Sequence, residues 1–257
     1  MAEIAVYTAM LVAIAAAYLS FQSDFKTFRV GDVERSAIVV APAKETVHPP
    51  LVFGFHGHGG TARFAFRKFD IHSLWPEAVV VYPQGLPTTT QRDPQGRRAG
   101  WQNVGGIVGD RDLKFFDTML ADLSKRYGVD AKRVYSMGHS NGAGFTYLLW
   151  QMRPDKLAAV APVAGVFRSR LGLEPLPCLV VGGTKDSIVP WERQETGIQS
   201  MAKFLGVKDD VSTKPSGDSK AYKGAKADMA VFVHSGAHEY PDKASRMIVD
   251  FFKAHPK

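Results

Sequence analysis

One short stretch constrains this chain more than any other. Arg133-Val134-Tyr135-Ser136-Met137 has the β-branched and aromatic character of a strand. It runs directly into Gly138-His139-Ser140-Asn141-Gly142 and then into a helical pattern. Those residues read G-x-S-x-G. Between a strand and a helix, this spacing sets a serine on a sharp turn, exposed at the end of a sheet. Glycines flank it because side chains there would collide with the neighbouring strand and helix. The following helix brings its first amides, and the positive end of its dipole, to the serine oxygen. Ser140 is the candidate nucleophile. The alternative is a tight turn carrying an idle serine.

A lone serine hydroxyl is a poor nucleophile. It needs a base in hydrogen-bond reach, and the base needs a group to orient it. Around such a turn the chain order is serine, acid, histidine. Asp155, Asp186, Asp209, Asp210 and Asp242 all follow Ser140. Asp186 is the best placed. It follows the apolar run Cys178 to Val181 by the short loop Gly182-Gly183-Thr184-Lys185, so it falls at the carboxyl end of a strand, where catalytic groups collect in open α/β sheets. Its other reading is a turn aspartate capping the next segment. The histidines after Ser140 are His234, His238 and His255. His255 lies in a tail expected to fray and His234 inside a strand pattern. His238, in Ser235-Gly236-Ala237-His238-Glu239-Tyr240-Pro241, is in a loop able to return over Ser140, and is the candidate base.

Negative charge developing on a reacting carbonyl needs two backbone N–H donors. One is expected from Asn141, directly after the serine. The other is expected from Phe55-His56-Gly57-His58-Gly59-Gly60, a glycine-rich loop after an early strand, with the His58 amide favoured and Gly59 its neighbour. His56 and His58 without a third ligand make a weak metal pair. No metal or cofactor is expected.

The rest of the chain fits one α/β domain. Short apolar runs (36–40, 51–55, 78–82, 133–137, 158–163, 178–181 and 229–234) alternate with helix-like segments, which implies a mostly parallel sheet covered on both faces. Helices are expected over 112–127, 141–151, 193–205 and 244–254. In the first of these, Phe116, Met119, Leu120, Leu123 and Tyr127 share a face, Asp112 is placed to cap the start and Gly128 to end it. Residues 87–100 and 207–226 read as loops, the second a solvated excursion with little to bury. This combination predicts an α/β-hydrolase fold over residues 22–257. The 257 residues carry a net charge of +7, scattered and not interleaved with aromatics, so nucleic-acid binding is not expected. Arg97 and Arg98 read as solvated surface charge, with reception of an anionic substrate as the alternative. Residues 4–20 are apolar but short for a membrane span, and a signal peptide cleaved after Ala17 is the favoured reading. A secreted or periplasmic protein without stable membrane insertion follows from it. Cytoplasmic residence with a retained apolar segment is the alternative. The sole cysteine, Cys178, falls in a strand and excludes an internal disulfide.

Five pieces together carry a family resemblance: His56-Gly57-x-Gly59-Gly60, the run Asp112 to Tyr127 followed by Gly128-Val129-Asp130, Gly138-x-Ser140-Asn141-Gly142, Gly183-Thr184-x-Asp186-x-x-Val189-Pro190 and Gly236-x-His238-x-x-Pro241. In these the chain resembles the esterase family that includes feruloyl esterases, acetylxylan esterases and short-chain polyhydroxybutyrate depolymerases. The resemblance implies a Ser140, Asp186, His238 triad and a small or polymeric ester as substrate. A carboxylic-ester hydrolase is the leading expectation. A polyhydroxyalkanoate depolymerase is the second and acyl transfer the third, with a non-catalytic binding protein of the same fold as the reading from another class. Trp101 and Trp191 are expected in loops on the catalytic rim, either lining a substrate pocket or simply packing.

Overall fold

A computed structural model describes residues 24–168 and 172–257. The apolar segment with its expected cleavage point after Ala17 lies outside the described residues.

The sheet is built outward from parallel apolar strands. β1 (Asp24–Val30) and β2 (Val33–Val40) form an antiparallel hairpin at one edge. Next come β3 (Leu51–Phe55) and β4 (Val79–Pro83), parallel to each other, with β4 antiparallel to β2. A two-stranded ribbon, β5 (Leu86–Pro87) with β6 (Ala99–Gly100), stands apart. β7 (Val134–His139), β8 (Ala159–Val163) and β9 (Cys178–Gly183) continue the parallel sheet beside β3. β10 (Lys220–Tyr222) and β11 (Met229–His234) complete it, with β11 parallel to β9 and β10 antiparallel on the far edge. The spatial order is β1-β2-β4-β3-β7-β8-β9-β11-β10.

Alternation along each strand feeds two cores. Leu51, Phe53 and Phe55 of β3 join one cluster and Val52 the other. Strands buried on both faces must be apolar at every position, which is why they read as unbroken runs in the sequence. Helices α1 (Ala62–Phe69), α2 (Arg111–Tyr127), α3 (Asn141–Met152), α4 (Trp191–Leu205) and α5 (Ala244–Ala254) cover the sheet. α2, α3 and α4 press Phe116, Phe145 and Met201 into the first core. α1 and α5 press Phe69 and Phe252 into the second. Burying one such ring is worth roughly 1.5–3 kcal/mol. Gly128 closes α2 in the left-handed region (φ 62°), its N–H bonded to the Ser124 carbonyl at 2.9 Å.

Three expectations need correction. Asp112 does not cap α2. The N-cap position is Asp110, and Asp112 is sunk to 1% exposure with Oδ1 2.9 Å from Arg35 Nη2 of β2. Its Oδ2 accepts from the Gln102 N–H at 2.9 Å. A carboxylate buried this deeply needs a cation and donors, and the partner sits 77 positions away in the chain. Residues 207–226 are not a wholly solvated excursion. Val211 and Tyr222 are buried, β10 extends the sheet, and the Tyr222 hydroxyl accepts from the Ser212 N–H at 2.9 Å. His255 is tied down rather than loose, with Nδ1 2.7 Å from the Phe251 carbonyl and Nε2 3.3 Å from Asp228.

Candidate active site

The carboxyl ends of β3, β7, β9 and β11 converge on one region, and each delivers one piece of it. At the end of β7, Ser140 adopts φ 57° and ψ −115°, a conformation rarely tolerated by a residue with a side chain. Such strain costs on the order of 1–3 kcal/mol and persists only where the surroundings impose it. The two motif glycines show how. A Cβ on Gly142 would run into the Phe55 carbonyl, and one on Gly138 into the Gly142 backbone. α3 therefore packs onto β3 and β7 with no room for side chains at the turn.

His238, in the loop after β11, places Nε2 2.7 Å from Ser140 Oγ. Its Nδ1 lies 2.7 Å from Asp186 Oδ2. Asp186 follows β9, is 4% exposed, and receives further donors. Oδ1 accepts from the Ile188 and Val189 N–H groups at 2.8 and 2.9 Å, and Oδ2 from Gln194 Nε2 at 2.9 Å. One Asp186 oxygen thus caps the turn and the other meets the imidazole. Gln194, from the first turns of α4, was not anticipated. It stands eight residues past Asp186 with no motif to mark it, and also donates to the Val189 carbonyl at 2.7 Å. His234 lies apart from this row. Its Nδ1 accepts from the Gly236 N–H at 3.2 Å, and burial lowers its pKa.

Across from Ser140 runs the loop after β3. A Cβ on Gly57 would stand 3.4 Å from the Ser140 Cβ, so the loop backbone passes directly beside the serine. His56 fixes its start. Nδ1 meets the Gly57 carbonyl at 2.7 Å, and Nε2 accepts from the Gly85 N–H at 3.0 Å. These partners require the neutral ring with its proton on Nδ1. Burial agrees, pushing the His56 pKa down to about 4. The Gly59 N–H is committed to the Ala99 carbonyl at 2.7 Å. Among the described residues, no hydrogen bond occupies the backbone N–H of His58 or Asn141. The His58 side chain places Nε2 3.1 Å from Asp93. Asp93 in turn accepts from the Arg97 and Arg98 N–H groups, which hold its carboxyl below the usual range.

Asn141 has a second tie. Its side-chain amide bonds both ways to the Trp101 backbone, Oδ1 accepting at 2.7 Å and Nδ2 donating at 2.9 Å. Trp101 is 1% exposed and packs on Phe55 and Phe145, with Nε1 bonded to the His56 carbonyl at 2.9 Å. It backs the cavity wall as part of the core. Trp191 does not line this cavity. Half-buried, it packs over β9, where a Cβ on Gly182 would sit 3.0 Å from its ring. His139 lies tilted against His238, their ring centroids 5.0 Å apart. Its Nε2 is buried without a partner among the described residues, and burial pushes its pKa down to about 4.

Ser140 opens onto a cavity of about 620 Å³. Its apolar wall comes from Tyr147, Leu148, Trp150, Phe167 and Leu173. Val104, Ile107 and Val108 stand exposed at the same cavity, forming an apolar lip. No group of three or more histidine, cysteine or acidic side chains among the described residues is arranged to hold a metal ion. No helix among them is long and apolar enough to cross a membrane.

No family model matches the chain. Individual relatives do. The bifunctional acetylxylan esterase/xylanase XynS20E of Neocallimastix patriciarum is 28% identical over 177 residues, which make up 67% of this chain and 24% of that protein. The chain therefore spans about a quarter of that two-activity relative. Probable feruloyl esterase C of Aspergillus oryzae is 24% identical over 220 residues, covering 80% of this chain and 77% of the relative. Among solved structures, the acetyl xylan esterase from Aspergillus awamori superposes with a TM-score of 0.68 at 15% identity, covering 89% of this chain and 99% of that one. The sheet order, the turn at Ser140 and these likenesses agree. The fold is that of the α/β-hydrolases, and in sequence the chain is similar to proteins named as acetylxylan and feruloyl esterases.

Proposed function

We propose that this chain is a serine carboxylic-ester hydrolase of the feruloyl or acetyl type, working through Ser140, His238 and Asp186 and an acyl-enzyme. The observation that carries the reading is the unbroken row from Ser140 Oγ through the His238 ring to Asp186, with both links at 2.7 Å, opening onto an apolar-walled cavity. The relatives named as esterases support the reaction class.

In this reading His238 Nε2 takes the Ser140 proton as Oγ attacks the ester carbonyl. The Asp186 carboxylate holds the ring in the tautomer with its proton on Nδ1 and stabilises the imidazolium that forms. The tetrahedral oxyanion sits between the unoccupied N–H groups of His58 and Asn141. His238 then gives its proton to the departing alkoxide, which leaves as an alcohol while Ser140 keeps the acyl group. Water repeats the sequence. His238 accepts one proton from it, hydroxide adds to the acyl carbonyl, and the acid departs as Ser140 regains its proton. The strained turn contributes by presenting Oγ in attack geometry before any substrate arrives.

A fluorophosphonate probe together with a panel of aryl and acyl esters tests this. Covalent labelling at Ser140, lost in Ser140→Ala, is expected, with turnover of feruloyl or acetyl esters. Failure of Ser140 to label would favour a binding protein of the same fold. Release of hydroxybutyrate oligomers with no action on feruloyl or acetyl esters would favour the polyester reading.

A further inference from the structure

The cavity at Ser140 has one charged side, and that side carries a single sign. Arg92, Arg168 and Arg193 all line it, from three separate segments. The fold draws them together around residues 186–193. Arg92 leans its Nη2 on the Ser187 and Ile188 carbonyls at 3.5 and 3.4 Å. Arg193 projects from the first turn of α4, one turn before Gly197 on the same face. Gly197 abuts the Phe167 backbone, where a Cβ would come within 3.1 Å of the Phe167 nitrogen, so the chain carries Arg168 alongside α4. Among the described residues no aspartate or glutamate lines the cavity. None of the three guanidinium groups has a carboxylate partner there either, although Arg35, Arg133 and Arg153 elsewhere in the fold each do. The same cavity has an apolar lip, formed by Val104, Ile107 and Val108.

We infer that the substrate is an ester carrying a carboxylate group, which the Arg92, Arg168 and Arg193 side of the cavity receives while the apolar wall and lip take the uncharged part. A guanidinium pairs with a carboxylate through parallel N–H donors, so a trio without a carboxylate partner among the described residues, lining the cavity that Ser140 shares, selects that chemistry over a neutral ester. The three arginines set specificity without touching the reacting atoms. The inference rests on the esterase reading above, and the experiment separates the two.

Two matched substrate pairs place the charge on either half of the ester. The first is mono(4-nitrophenyl) glutarate against 4-nitrophenyl hexanoate, with the carboxylate on the acyl side. The second is 4-acetoxybenzoate against 4-methylphenyl acetate, with the carboxylate on the alcohol side. In at least one pair the anionic member should have the higher kcat/KM, by about tenfold at low salt, shrinking toward parity at roughly 0.5 M salt as screening sets in. Arg92→Gln and Arg193→Gln should each lower the anionic-to-neutral ratio in that pair. Arg126→Gln, at the far end of α2 in an exposed pair with Asp122, should leave the ratio unchanged. Preference for the neutral ester in both pairs overturns the inference and leaves the esterase reading standing. A ratio insensitive to Arg92→Gln and Arg193→Gln also overturns it. Absence of hydrolysis in every pair, with no labelling of Ser140, brings down both.

Discussion

Two glycine-rich turns face each other across the candidate site, and they are held by different physics. The turn at residues 138–142 is fixed by close approach. Its glycines sit where any Cβ would strike backbone, and its serine is forced into a positive φ. The loop at residues 56–60 is fixed by polar ties: His56 to two backbone groups, the Gly59 N–H to Ala99, and the His58 ring to Asp93. Steric fixation is all-or-none and indifferent to solvent. Polar fixation is graded and answers to pH. The Ser140 oxygen, the proposed nucleophile, is set by the first kind, and one of the amides proposed to receive the oxyanion by the second.

The largest effect expected from breaking this contrast is chemical. Ser140→Ala should cut ester turnover by roughly 10⁴–10⁶ while thermal unfolding stays within a degree or two, because packing and not the hydroxyl shapes the turn. A loss below tenfold would move the chemistry elsewhere. Next comes Gly142→Ala. Driving a methyl group into the Phe55 carbonyl should cost about 3 kcal/mol or more, a fall in Tm of roughly 6–12 °C. Gly59→Ala in the opposite loop is strained by φ 76° but meets only the Arg98 side chain at 3.3 Å, so about 1–2 kcal/mol is expected. Equal losses in the two variants would erase the distinction.

Acid sharpens the contrast further. Each turn holds one buried imidazole with its pKa pushed down to about 4, His139 in one and His56 in the other. An unfolded histidine titrates near 6.5. Above that pH neither state is protonated and stability is full. Between about 6.5 and 4 only the unfolded chain binds the proton, so stability falls, and the loss levels off once the folded rings protonate too. For the fully buried His56 this is on the order of 2–3 kcal/mol, and less for the more exposed His139. Urea unfolding at pH 7 and pH 4.5 should register the difference. His139→Phe should flatten the slope without losing a hydrogen bond, while His56→Phe should flatten it and also destabilise the protein at pH 7. The smallest effect belongs to Asp93→Asn, which weakens the tie to His58. A fall in Tm smaller than that of Gly59→Ala is expected.

What was legible in the sequence, and what was not, divides by range. Strands β3 and β11 and helix α5 have the limits read from the apolar pattern alone, because a strand buried on both faces leaves an unmistakable run. β1 and α1 escaped. β1 is an edge strand with charged residues between its aromatics, and α1 buries mainly alanines, Ala62 and Ala65, with Phe69. Neither shows a wide apolar stripe. The residues nominated around Ser140 come close in space because each follows the end of a neighbouring strand, a position visible in the chain order. Ties between distant loops were invisible. Nothing local to Asp112 reveals Arg35, and nothing near Asp186 marks Gln194. Trp191 was placed on the rim by its sequence neighbours, whereas the geometry of α4 turns it toward β9. The arginine trio is of the same long-range kind, assembled from three segments that share no motif.

Cys178 begins β9 with no surface in contact with solvent, and burial pushes its thiol well above the ordinary range. A sulfur so enclosed and so reluctant to ionise is a poor target for oxidants and alkylating reagents. The one thiol of this sequence is accordingly shielded from the redox poise of its surroundings. Electrophilic probes of the site can be interpreted without a competing signal from sulfur chemistry.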